Sequence, residues 1–209
     1  MLENSVDALG KIRALALLLA AAALIACGAP EGRPPGDALV RLSDQFTADF
    51  ALIDQNGQAR TDRDFRGKVA IVYFGFATCP DVCPMALGTL SAALAELSER
   101  ERAQIAPLFI TVDPERDTPA ALKDYLAFNS SFVGLTGSPE AAEKARASFK
   151  VYARRQPLPQ SALGYTMDHS SLFYLVDREG RPQLAIHDTR VTPQQLAVLL
   201  RQAIKGRLT

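Results

Sequence analysis

The chain has little of what most functional classes need. Neither sign of charge is in excess: 23 lysines and arginines meet 23 aspartates and glutamates, for a formal net charge of zero. No run of like charges marks an interaction tail. Nucleic-acid binding draws on a basic stripe that neutralises phosphates, and a charge-balanced chain argues against it. Glycine-rich phosphate loops and internal repeats are missing, which removes nucleotide-cradling and solenoid architectures. Histidine occurs only at 169 and 187, and cysteine only at 27, 79 and 83. Any metal or thiol chemistry therefore draws on a very small set of side chains.

Long apolar runs are scarce as well. One stands out, "ALALLLAAAALIA" over 14–26, preceded by Lys11 and Arg13. It is shorter than the roughly 20 residues that span a bilayer comfortably. It ends in "LIAC", and small residues before a cysteine are similar to a bacterial lipoprotein signal, with Cys27 as the lipidated first residue. An ordinary signal peptide or an uncleaved anchor are the alternatives. Each of them exports the rest of the chain, so the expected location is the periplasmic side of the membrane, held there by an anchor. The segment 28–45, rich in proline and glycine at its start, reads as a flexible tether, and 46–209 as the globular domain. With Cys27 lipidated, Cys79 and Cys83 remain. In an oxidising compartment such a pair closes as a disulfide unless it is reduced or metallated.

The remaining pattern is that of an α/β domain. "FALIDQNGQAR" holds an Asn56-Gly57 turn between two extended runs and predicts an N-terminal β-hairpin. "KVAIVYFGF" and "APLFITV" are continuous apolar runs, as expected of strands buried on both faces. Between them Leu87, Leu90, Leu94 and Leu97 recur at helical spacing. Thr118-Pro119, Ser138-Pro139 and Thr192-Pro193 each read as a cap followed by proline in the first helical turn. "SFVGLTG" predicts a short strand, and "SSLFYLVD" with "RPQLAIHD" a hairpin. The stretch "YARRQPLPQSALGYTMD" predicts an irregular, functional loop. A β-α-β unit followed by β-β-α is a thioredoxin-like order: a central mixed sheet flanked by helices, here with an N-terminal hairpin extension.

The chemistry concentrates in "VYFGFATCPDVCPMALGTL". Cys79 and Cys83 fall between a buried strand and a helix, in the loop and first turn. Free N–H groups and the macrodipole favour thiolate there. Residues four apart share a helical face, so both sulfurs can turn to one side. A thiolate serves disulfide exchange and soft-metal ligation alike. Two thiolates with an added imidazole suit three-coordinate Cu(I). His169, in "GYTMDHSSLFYLVD", precedes a strand where thioredoxins place a proline, and could reach the sulfurs or simply bond backbone. His187 reads as a strand-end histidine. Asp81 is a candidate surface contact, Asp113 and Asp168 candidates for supporting the site or facing a partner. Asp117 reads as turn and cap chemistry, and Met85 and Met167 as packing.

Taken together, "YFGFATCPDVCP", "TVDPERDTP", "GLTGS" and "YTMDHSSLFYLVDREG" resemble the Sco/SenC family of copper-binding thioredoxin-like proteins. The resemblance implies that Cys79, Cys83 and His169 bind about one copper, as Cu(I) or Cu(II). It further implies work in cytochrome c oxidase assembly, either delivering copper to the dinuclear centre of subunit two or reducing that subunit's cysteines. A periplasmic copper donor and a thiol reductant would be the other partners. Thiol-disulfide exchange, with Cys79 and Cys83 as the reacting pair, is the alternative activity. A thiol peroxidase would fit the fold, but no further resolving cysteine is present, and a copper sensor or buffer stays open.

Overall fold

The computed structural model describes residues 34–208, so Cys27 and the expected signal lie outside the described residues. Ten strands are formed among the described residues: β1 (Leu39–Arg41), β2 (Ala51–Asp54), β3 (Ala59–Thr61), β4 (Val69–Gly75), β5 (Ile105–Thr111), β6 (Val133–Thr136), β7 (Ala153–Leu158), β8 (Gly164–His169), β9 (Leu172–Val176) and β10 (Pro182–His187). The helices are α1 (Val82–Ala95), the single turn α2 (Glu99–Arg102), α3 (Pro119–Tyr125), α4 (Pro139–Ser148) and α5 (Pro193–Ile204). Eight strands make one mixed sheet in the order β1-β10-β9-β4-β5-β6-β2-β3.

The centre of the sheet follows directly from the apolar runs. Every residue of β4 and β5 is buried. The two strands run parallel from Val69 beside Ile105 to Gly75 beside Thr111. Their C-terminal ends therefore deliver the segments after 75 and after 111 to the same edge. β9 lies antiparallel on the other side of β4, with Tyr73 opposite Phe173. The residues just before Leu172 are thus brought to that edge as well. Rings from β4 and its neighbours fill the interior: Phe74 packs with Phe149 and Tyr174, and Tyr73 with Phe109 and Phe173. Thr118, Ser138 and Thr192 cap α3, α4 and α5 through their hydroxyls, and proline stands in the first turn of each.

Two expectations change. The tether expected over 28–45 includes β1, which pairs antiparallel with β10 from Leu39 beside Ile186 to Arg41 beside Leu184, and Ala38 is fully buried. Three residues carry no periodic signal of their own, and the edge of β10 makes them a strand. The irregular loop is a two-stranded hairpin, β7–β8, in register from Ala153 beside His169 to Leu158 beside Gly164. Among the described residues it pairs with no strand of the main sheet. Its residues are half-buried or exposed throughout, so no apolar alternation announces it.

Candidate metal centre

Cys79 lies ahead of α1, in the loop that leaves β4, and Cys83 is the second residue of the helix. The two do not share a helical face. They meet because the loop folds back on the helix start, where the Cys83 N–H donates to Cys79 Sγ at 3.4 Å. The Cys79 N–H donates to the Phe76 carbonyl at 3.2 Å, which closes the loop. Both cysteines are free thiols. Cys83 is fully buried, whereas Cys79 keeps 7% of its surface.

Room for the inner sulfur comes from Gly75. A Cβ there would fall 3.0 Å from Cys83 Sγ and 2.8 Å from the Phe109 ring. Behind the sulfur stands Tyr73, whose hydroxyl is 2.9 Å from Ser171 Oγ. Ser171 in turn donates to the buried carboxylate of Asp188. Burial, with the Cys83 sulfur nearby, pushes the Tyr73 phenol far up, so it stays a neutral hydroxyl.

His169 ends β8 and faces the dithiol. Its ring stands edge-on to Phe76 and Tyr73, with centroids 5.7 and 6.4 Å away. Nδ1 is 3.0 Å from the Ser170 carbonyl oxygen. A carbonyl only accepts, so Nδ1 carries the proton. Unprotonated Nε2 turns its lone pair toward Cys83 Sγ at 3.6 Å. An outer hydrogen bond of this kind fixes the tautomer and ring plane of metal-binding histidines.

The two sulfurs share one proton unequally. A hydrogen bond from the Cys83 thiol holds the Cys79 thiol far below its ordinary value against the cost of burial, with the Asp81 and Cys83 N–H groups adding to the shift. The same bond, together with burial, pushes Cys83 far up. The pair is thus polarised, with proton loss favoured at the outer sulfur and opposed at the inner one.

The remaining candidates divide. His187 ends β10 and is half-buried, as expected of a strand end. Asp81 and Asp168 are exposed. Asp168 occupies the strand position next to His169, so its side chain leaves the opposite face of β8. Asp113 is buried and accepts from Arg116 Nε and, at 2.8 Å, from the Tyr165 hydroxyl. Asp117 does more than the turn and cap chemistry expected of it: its Oδ2 also accepts the Ala77 N–H at 3.1 Å, within the loop that presents Cys79. It takes the Thr111 hydroxyl at 2.6 Å too, and burial raises its pKa. Gly75, Tyr73, Asp188 and Tyr165 are not singled out by the sequence pattern. Gly75 does carry a signal, a glycine inside a buried strand that marks close approach. The others depend on contacts between distant segments.

The SCO1/SenC family model matches residues 40–205. The chain belongs to the SCO1/SenC family. It is 41% identical over 134 residues to the SCO2-like protein RC0895 of Rickettsia conorii, a match that covers 64% of this chain and 65% of that one. Among solved structures, Bradyrhizobium japonicum ScoI with copper bound is 39% identical at a TM-score of 0.67, covering 76% of this chain and 99% of that one. Yeast Sco1 with copper bound is 36% identical at a TM-score of 0.70, covering 77% and 89%. The fold is accordingly that of the thioredoxin-like Sco proteins.

Proposed function

We propose that this protein binds one copper ion through Cys79 Sγ, Cys83 Sγ and His169 Nε2 and passes it to the dinuclear copper centre of cytochrome c oxidase subunit two. One observation carries the reading: the His169 Nε2 stands 3.6 Å from the Cys83 sulfur, in a loop where the Cys83 N–H also holds the Cys79 sulfur at 3.4 Å. Two soft thiolates and one borderline nitrogen are a donor set for Cu(I). Copper-bound structures of relatives with the same fold support copper as the cargo. Oxidase assembly follows from the family resemblance, with a periplasmic copper donor upstream. A lipid anchor at Cys27 would hold the domain on the periplasmic side of the membrane.

Chemistry at the site divides among a few groups. The lowered Cys79 pKa reduces the cost of proton loss at the outer ligand. Cys83 gives up its proton as the metal enters. Ser170 keeps His169 Nε2 open, and Phe76 and Tyr73 hold the ring on edge.

Anaerobically reduced protein, titrated with Cu(I) against a chromophoric competitor, is expected to bind one equivalent. His169→Ala keeps the dithiol, and is expected to weaken binding, change the Cu(II) spectrum and slow transfer to a purified subunit-two domain. Unchanged affinity and spectrum in His169→Ala would remove the histidine from the site. The depressed Cys79 pKa favours a second reading, reduction of that subunit's cysteines, for which a cellular thiol reductant would have to recycle the pair. A Cys83→Ser variant that traps no mixed disulfide on Cys79 with the oxidised subunit domain would set exchange aside.

A further inference from the structure

The turn 113–117 touches both halves of the centre. On one side Asp117 Oδ2 accepts the Ala77 N–H, two residues before Cys79. On the other, the turn grips Tyr165, which lies on β8 four residues before His169. Strand alternation puts Tyr165 and His169 on the same face of β8. The grip has several independent contacts. The Tyr165 hydroxyl donates to Asp113 Oδ1 at 2.8 Å, and Arg116 Nη1 donates to the Tyr165 carbonyl at 3.0 Å. Arg116 lies over the Tyr165 ring at 3.8 Å and Arg155 at 4.0 Å. Arg155 reaches back from β7 to Glu115 at 2.5 Å.

This matters because the β7–β8 hairpin has no partner in the main sheet among the described residues. A two-stranded hairpin is marginal on its own in water. Near its base it is held by the chain leading into β9. Further out, it is the 113–117 turn that holds it by side-chain contacts. We infer that this turn sets the distance between imidazole and dithiol, and that Tyr165 is the positioning residue through which it holds His169. The inference rests on the three-ligand reading above and assigns the turn a task beyond leading the chain into α3. Five residues with acids at both ends suit that task, because one carboxylate faces the thiol loop and the other the imidazole strand.

The test uses the full chain with and without copper. In the metal-free protein, Tyr165→Ala is expected to erase the nuclear Overhauser contacts between the His169 ring and the Phe76 and Tyr73 rings. It should also speed amide exchange along β7–β8, with the thermal transition still cooperative. With copper, its affinity should fall roughly 10–100-fold, the usual reach of a supporting residue, and its Cu(II) spectrum should move toward that of His169→Ala. Tyr165→Phe keeps the ring between the guanidinium groups and loses only the bond to Asp113, so it should recover most of both readouts. Wild-type ring contacts in metal-free Tyr165→Ala would overturn the inference. So would lost contacts with undiminished copper affinity, provided His169→Ala is weakened. If His169→Ala also binds copper as wild type does, the ligand reading falls instead, and the metal-free contacts alone decide the role of Tyr165.

Discussion

Cys79 and Cys83 behave differently because one sulfur donates and the other accepts. The folded Cys79 thiol titrates far below the ordinary thiol value of 9.0. Its thiolate therefore persists as pH falls below that value, and alkylation by iodoacetamide should stay on its plateau at pH 7. Cys83→Ala deletes the donor, so the alkylation profile of Cys79 should move to higher pH; an unmoved profile would show that the bond does not hold the charge. Gly75→Ala should cost copper affinity more than stability at comparable positions, since its methyl group would meet Cys83 Sγ at 3.0 Å and the Phe109 ring at 2.8 Å. Wild-type affinity by competitor titration would count against that. Asp117 has a folded pKa above the ordinary carboxyl value of 3.8, because burial disfavours its charge. For a carboxyl shifted upward, the stabilisation is full below the unfolded pKa and is lost as pH rises through the folded one. The melting temperature of Asp117→Asn, relative to wild type, should then rise from pH 4 toward neutrality. A constant difference across that range would contradict the assignment.

Among the elements, those built from a strong local signal are readable in the sequence and those built from long-range contacts are not. β4 and β5 are legible because seven consecutive buried residues leave few other readings. The three proline-opened helices are legible because each cap is a hydroxyl reading the backbone three residues on. Ser138→Ala should therefore destabilise the fold by about 1 kcal/mol, measured by denaturant melts, without changing the site. The β7–β8 hairpin stays hidden because its residues carry no apolar alternation and its side-chain contacts, arginines stacked on Tyr165 and the Asp113 carboxylate, include partners distant in sequence. The candidate ligands can be named from the resemblance. The contacts that aim them, at Tyr165, Asp117 and Tyr73, cannot, since each joins segments tens of residues apart.

For the whole molecule, the edges of the sheet matter most. β1 covers the outer edge of β10, and Arg41 donates to the Leu208 carbonyl at 3.2 Å near the end of the chain. A chain beginning at Ser43 should melt at a lower temperature and self-associate, because it exposes the β10 edge as a free template. Sedimentation and thermal melts compared with the longer chain would show neither change if β1 were dispensable. The same pairing means that any linker to an anchor ends before Ala38, and its reach is shorter than the proline-rich segment alone suggests.

Depth within the dithiol also imposes an order of events. The inner sulfur has no exposed surface and the outer one has 7%. A visitor from solvent, whether a thiol or a protein offering ligands, touches Cys79 first. In exchange chemistry Cys79 is then the attacker and Cys83 the group that closes the cycle. In the proposed metal handover the same depth would put the acceptor's first bond on the outer side, with Cys83 still holding from within. A doorway with one open side would let the ion pass hand to hand without being let go into water.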